Sequence, residues 1–352
     1  MKTTNVVKLD PRDPDLSRIR EVVRAAREGK IVAFPTETVY GIGGPASLPS
    51  VIPALDAIKN REGGKHYSVH IGSLDMLDFL KIKKTSAFRF LVRRFWPGPL
   101  TLIVPTEKGE KIGIRFPKNR LTVALINASG EPFLGTSANL SGQPSPVSAQ
   151  DVVKQLGGKI DYIIDGGKTD YAQDSTIVDL SGEQPVILRK GAEGDAISQA
   201  VEKIKSGKFP RKRILFVCTG NSCRSPMAEA WLRDEFKHHG LSDQIEVSSC
   251  GIAARDGSHS TQEAILVMKN REIDMTDHRS RVCTRMDIED ADIVFAMSHE
   301  HYVFITGLYP AAKQKITVLN VPDPIGMGIL IYEEVIKNIE KKIKEYWKEI
   351  IA

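Results

Sequence analysis

Cysteine is scarce in this chain, four in 352 residues, which leaves no basis for a disulfide framework. Long apolar runs are missing, so no segment reads as a membrane span, and the first residues lack the charged-then-apolar pattern of a signal peptide. Neither the P-loop string nor the spaced-glycine dinucleotide fingerprint occurs, so any nucleotide has to be held in another way. Repeats and low-complexity tracts are absent too. Nor is there a large excess of one charge: a net +5 fits anionic ligands such as nucleotides or phosphoproteins and does not by itself argue for nucleic-acid binding. What is present is ordinary for a globular protein, 41% hydrophobic and 26% charged residues. The length favours two domains of about 150–200 residues over one.

Apolar spacing predicts a helix over 14–29 that stops at Gly29, then a strand at Ile31-Val-Ala-Phe34. Further strands are expected at 67–71, 100–104, 162–164, 176–180 and 185–188, with helices around 50–59, 74–81, 86–95 and 148–156. A helix near 195–205 runs into Lys205-Ser-Gly-Lys-Phe-Pro-Arg-Lys-Arg213, a Gly/Pro/basic stretch expected to join two domains. The boundaries drawn are 1–206, a linker over 207–213, and 214–352. Beyond the linker, strand and helix alternate: strand 214–217, helix 226–239, strand near 245–248, helix 260–271, strands 292–296 and 315–319, and a closing helix from about 329. Such alternation predicts a parallel sheet with its site at the carboxyl ends of the strands. Both domains are therefore expected to be α/β.

The most informative stretch is Ile214-Leu-Phe-Val-Cys218-Thr219-Gly220-Asn221-Ser222-Cys223-Arg224-Ser225-Pro226. It reads as a buried strand, a thiol at its end, a polar loop and a helix opening at Ser225-Pro226. At that point backbone N–H groups lack intrahelical partners and the dipole favours negative charge. A thiol there is expected to ionise, helped by Arg224. The same amides and guanidinium form a cradle for a tetrahedral oxyanion. A thiolate beneath a phosphoryl group is the machinery of in-line displacement through a phosphocysteine. Taken alone, Cys218 would read as a buried structural thiol; the whole string carries the case.

That string resembles the low-molecular-weight phosphotyrosine phosphatase family, which also contains protein-arginine phosphatases and thioredoxin-coupled arsenate reductases. Ser248-Ser-Cys-Gly251, Asp277-His-Arg-Ser-Arg281 and Asp323-Pro324 are further landmarks, and the resemblance covers residues 211–352. It implies a Rossmann-like parallel sheet and no cofactor. Cys218 is the implied nucleophile, Arg224 with the loop amides binds the equatorial oxygens, and Asp323 protonates the leaving group and then activates water. Thr219, Gly220, Asn221, Ser222, Cys223 and Ser225 support the phosphate loop, Ser225 holding the Cys218 pKa down and Cys223 standing by for a protective disulfide. A reducing cytoplasm suits such a thiol. Cys250 and Cys283 do not read as the redox relay of an arsenate reductase. Asp323-Pro324 is followed by Ile325-Gly-Met-Gly328, with no aromatic residue before Tyr332 to wall a phenyl ring. The hydroxyl of Ser222, where tyrosine-specific relatives often carry isoleucine, favours phosphoarginine over phosphotyrosine.

The first half holds four polar clusters: Phe34-Pro-Thr36-Glu-Thr38-Val-Tyr40-Gly41-Ile-Gly43; Lys59-Asn-Arg61-Glu-Gly-Gly-Lys65 with Ser68-Val-His70; Gly135-Thr136-Ser137-Ala138-Asn139-Leu-Ser141-Gly142; and Asp174-Ser175-Thr176-Ile-Val-Asp179 with Leu188-Arg189. The cations Lys59, Arg61 and Lys65 read either as a triphosphate clamp or as a solvated helix end. The hydroxyl and amide turns suit a small polar ligand. In this order, with Phe95-Trp-Pro-Gly-Pro-Leu-Thr101 and Gly113-Ile-Arg115-Phe-Pro117, the clusters resemble the YrdC-type threonylcarbamoyl-AMP synthase family over residues 10–205. The resemblance implies a twisted mixed sheet with helices. It also implies a reaction of L-threonine, bicarbonate and ATP, the product serving other proteins that modify tRNA. Thr36, His70, Arg115 and Ser175 would hold threonine, and Lys59, Arg61, Ser137, Asn139 and Arg189 would contact ATP, with Mg2+ bridging its phosphates. Where the family has proline after Lys-x-Arg and then a Pro-Leu pair, this chain has Glu62 and His66-Tyr67. A domain that only binds nucleotide or tRNA is therefore the alternative, paired with a phosphotyrosine phosphatase.

Overall fold

A computed structural model describes residues 3–60 and 67–352. The chain divides into two units, Met1–Ser206 and Gly207–Ala352. In the first, the strands are β1 (Asn5–Lys8), β2 (Val32–Phe34), β3 (Gly41–Pro45), β4 (Ser68–His70), β5 (Leu100–Pro105), β6 (Lys111–Arg115), β7 (Phe133–Ser137), β8 (Tyr162–Asp165), β9 (Thr176–Asp179) and β10 (Val186–Arg189). They form one ten-stranded sheet in the order β1-β8-β2-β3-β7-β4-β6-β5-β9-β10. The sheet is mixed: β2–β3 and β4–β7 pair antiparallel, β4–β6 and β5–β9 parallel.

The helix Leu16–Arg27 forms because Ile19, Val22, Val23 and Ala26 recur on one buried face and Asp15 caps its first turn by accepting from the Ser17 and Arg18 amides. One core of the unit gathers Ile31, Ala33, Tyr40, Ile42, Leu55, Val152 and Ile163 between strands and helices. The strand β3 is buried at every position although its sequence, Gly-Ile-Gly-Gly-Pro, reads as a turn. Glycine is required there by crowding: a Cβ on Gly43 would lie 2.1 Å from the Leu134 carbonyl oxygen of β7.

The second unit holds β11 (Lys212–Cys218), β12 (Ile245–Gly251), β13 (Ile293–Ala296) and β14 (Ile316–Val318), all parallel, in the order β12-β11-β13-β14. Both faces of β11 are covered. Ile214, Phe216 and Cys218 enter a core with Met227, Trp231 and Ile336, and Leu215 and Val217 enter another with Cys250, Ile288 and Ile305. An unbroken apolar run is what a parallel strand buried on two sides needs. The strand also takes in Lys212 and Arg213, the end of the stretch read as a linker. Arg213 is buried there by ion pairs with Glu246 at 3.1 Å and Asp290 at 3.3 Å. Among the described residues, no helix is long and apolar enough to cross a membrane.

Candidate active sites

In the first unit, the polar clusters converge on a cavity of about 600 Å³ at the ends of β4, β6, β7 and β9. Thr36, His70, Arg115 and Ser175, the residues expected to hold threonine, all line it, and so do Ser137 and Arg189 from the set expected to hold ATP. The other two described members of that set brace the wall. Lys59 is completely buried, its Nζ donating to the Ser137 carbonyl at 2.6 Å and to Asn139 Oδ1 at 2.9 Å. This excludes the solvated-helix-end reading for Lys59. Arg61, Lys65 and the altered Glu62 and His66 positions lie outside the described residues.

Arg115 is fixed from one side. Its Nη2 donates to Glu37 Oε1 at 2.7 Å and to Thr38 Oγ1 at 2.6 Å, while Glu37 Oε2 accepts from the Lys118 amide at 2.8 Å. The arginine's Nε and the Nδ1 of His70 are buried without a hydrogen-bond partner. Orphaned polar atoms in a folded core cost free energy, so two beside one cavity point to a ligand that satisfies them. Burial, and secondarily the Arg115 charge, push the His70 pKa down to about 3, so the ring is neutral. Opposite, Ser175 Oγ meets Thr101 Oγ1 at 2.9 Å and accepts from Arg189 Nη2 at 3.0 Å. Glu37 was missed in the sequence; a buried carboxylate between two threonines was the available signal.

In the second unit, Cys218 ends β11 and the helix Arg224–His238 begins one residue earlier than expected. The loop between them wraps the thiol: Cys218 Sγ lies 2.9 Å from Ser225 Oγ and accepts from the Asn221 amide at 3.2 Å. Asn221 adopts φ 53° and pins the turn, donating to Ser225 and Ser249 at 3.0 and 2.8 Å and accepting from the Arg281 amide at 3.0 Å. Arg224 Nη1 donates to the Val321 carbonyl at 3.2 Å, Nη2 donates to Thr219 Oγ1 at 3.3 Å, and the guanidinium contacts the Asp323 carboxylate directly. Nucleophile, loop, guanidinium and acid candidates are thus brought together.

Three details depart from expectation. Burial outweighs the helix terminus and pushes the Cys218 thiol up, against the pull of Ser225, Arg224 and the Asn221 amide. The Cys223 sulfur is surrounded by hydroxyls, 3.6 Å from Ser222, 3.5 Å from Thr261 and 3.4 Å from Tyr332. Cys250 and Cys283, which had no evident connection in the sequence, lie close enough that Cys283, with burial, pushes the Cys250 thiol up. All four cysteines are free.

Comparison with known proteins follows this division. Residues 24–191 match a family model described as Telomere recombination (Sua5/YciO/YrdC), and residues 213–352 match Low molecular weight phosphotyrosine protein phosphatase. A threonylcarbamoyl-AMP synthase of Pyrococcus abyssi is 39% identical over 183 residues, covering 49% of this chain and 54% of its own length, so the chain spans about half of that relative. One from Vibrio vulnificus is 32% identical over 188 residues, covering 50% of this chain and all of its own length. The crystal structure of P. abyssi Sua5 complexed with L-threonine aligns with 90% of this chain and 99% of its own at 27% identity and a TM-score of 0.53. The chain belongs to the threonylcarbamoyl-AMP synthase family through its first unit and carries a low-molecular-weight phosphatase domain as its second.

Proposed function

We propose that the protein is a bifunctional enzyme: a threonylcarbamoyl-AMP synthase and a protein phosphatase that works through a phosphocysteine. For the synthase, the supporting observation is the pair of orphaned buried atoms, Arg115 Nε and His70 Nδ1, at a cavity large enough for a nucleotide and a small amino acid. Threonine would sit against Thr36, His70, Arg115 and Ser175, and the nucleotide along Lys59, Ser137, Asn139 and Arg189. The threonine amine and bicarbonate give a carbamate and water; a carbamate oxygen attacks the α-phosphorus of ATP and pyrophosphate leaves. The chain supplies position and charge, with no covalent nucleophile. Mg2+ would come with ATP as the counter-ion of its phosphates.

For the phosphatase, support comes from the thiol held 2.9 Å from Ser225 under the Asn221 amide, with Arg224 beside it. Cys218 attacks phosphorus as the thiolate, its proton passing through solvent to the Asp323 carboxylate; Asp323 gives that proton to the leaving nitrogen or oxygen, then takes one from the water that hydrolyses the phosphocysteine. The preference for phosphoarginine rests on the rim: Ile325 and Met327 are exposed beside Asp323, while Tyr332, the first aromatic residue after it, is buried against Cys223. Among the described residues that follow Asp323, none before Tyr332 offers a ring to stack on a phenyl group.

Pyrophosphate release with ATP, Mg2+ and bicarbonate tests the first activity. Dependence on L-threonine, with threonylcarbamoyl-AMP seen by mass spectrometry, is expected; its absence from folded protein would leave the first unit a nucleotide or tRNA binder. Turnover of phosphoarginine and phosphotyrosine peptides tests the second, and faster tyrosine turnover would overturn the substrate assignment.

A further inference from the structure

His301 is a buried histidine that the roles above leave unused. It lies in the first turn of the helix His299–Leu308, after β13, and is 1% exposed. Its Nε2 is 3.0 Å from Thr219 Oγ1 and its Nδ1 is 2.8 Å from Ser298 Oγ. Thr219 Oγ1 also accepts from Arg224 Nη2 at 3.3 Å. The hydrogens on this chain can be assigned in order. A guanidinium only donates, so Thr219 accepts from Arg224 and has one hydroxyl hydrogen left. The hydroxyl's other described neighbour is His301 Nε2, and in the tautomer that leaves Nε2 unprotonated this hydrogen goes to it. In that tautomer the ring proton is on Nδ1 and faces Ser298 Oγ. Burial and the Arg224 charge both hold the ring neutral, with a pKa near 4, consistent with that tautomer; Asp323 pulls the other way.

We infer that His301 is a positioning residue for the phosphatase reaction: it orients the Thr219 hydroxyl, which in turn fixes the Nη2 edge of Arg224 toward the oxyanion cradle. The inference rests on the phosphatase reading of this loop. A guanidinium can rotate about its Nε–Cζ bond; the Val321 carbonyl holds the Nη1 edge, and Thr219 shares the Nη2 edge with Asp323, which an incoming oxyanion would displace. With Asp323 displaced, the Thr219 hydroxyl is the side-chain tether left on that edge, and His301 is its other hydrogen-bond partner among the described residues. The positioning is local to oxyanion binding, so its loss should appear in phosphate affinity as well as in turnover.

The test uses the full chain with p-nitrophenyl phosphate for turnover and inorganic phosphate for calorimetric binding. His301→Ala should weaken phosphate binding and lower kcat/KM, each by about tenfold, the size of one hydrogen bond to a charged group. Thr219→Val, which keeps the shape and removes the hydroxyl, should do the same. The decisive comparison is the double variant, which should lose no more than Thr219→Val alone, because His301 acts through that hydroxyl. His301→Gln, whose amide oxygen can accept from Thr219, should recover most of the loss. Additive losses, or unchanged phosphate affinity in folded Thr219→Val, would overturn the inference. Wild-type protein that binds phosphate but turns over no ester would instead overturn the phosphatase reading and leave the binding comparison to decide the positioning role.

Discussion

Two residues have protonation states that set measurable behaviour. Cys218 is pushed above its ordinary thiol value by burial. Its alkylation by iodoacetamide should therefore rise with pH to a midpoint above 9, and inorganic phosphate should protect it. A midpoint near 6 would mean that the helix terminus and Arg224 outweigh burial. His70 titrates at about 3 in the folded unit against an ordinary 6.5. Between those values the unfolded chain binds a proton that the folded chain does not. The contribution is complete above pH 6.5 and is lost as pH falls, at about 1.4 kcal/mol per pH unit. His70→Asn should flatten that part of the acid limb in denaturant melts of the first unit, while an unchanged limb would show His70 protonating in place.

At the scale of elements, the glycine-rich strand β3 carries the clearest prediction. Gly43→Ala places a Cβ 2.1 Å from the Leu134 carbonyl oxygen, backbone that cannot move without separating β3 from β7. Destabilisation of about 2–3 kcal/mol is expected in urea melts, more than a surface glycine would cost. The same crowding explains which elements were illegible in the sequence. β3 and β7 each contain glycine where an added Cβ would crowd the neighbouring strand, 2.1 Å from the Leu134 oxygen at Gly43 and 3.0 Å from the Ile42 oxygen at Gly135, and glycine reads as a turn. Strands rich in β-branched residues, such as β9, and capped amphipathic helices, such as Leu16–Arg27, were legible because their periodicity survives. The phosphate loop was legible for a related reason: thiol, amides and guanidinium are consecutive in the chain. Glu37 and His301 were not, since each acts on a residue far along the sequence. For His301 the available clue was its place just past the carboxyl end of a parallel strand, where ligand sites gather.

For the whole molecule, the proposal assigns two chemistries to two units, and they should be separable by mutation. Arg189→Ala removes a half-exposed side chain that tethers Ser175, so it should lower threonine-dependent pyrophosphate release about tenfold and leave phosphatase turnover unchanged. Cys218→Ser should abolish phosphatase turnover and leave pyrophosphate release intact. Loss of both activities from either change, in folded protein, would contradict independent sites.

On the proposed phosphatase reading, the contact between Arg224 and Asp323 sets the carboxylate and an incoming oxyanion in competition for one guanidinium. An oxyanion entering the loop would claim the guanidinium, and the carboxylate it displaces would be free to take up the proton lost by the Cys218 thiol, through solvent, and pass it to the leaving group. The event that fills the cradle would thus release the carboxylate proposed to carry the proton. Asp323→Asn removes the competitor and should tighten inorganic phosphate several-fold by calorimetry while turnover collapses. Unchanged affinity would mean that substrate and carboxylate never contend for that arginine.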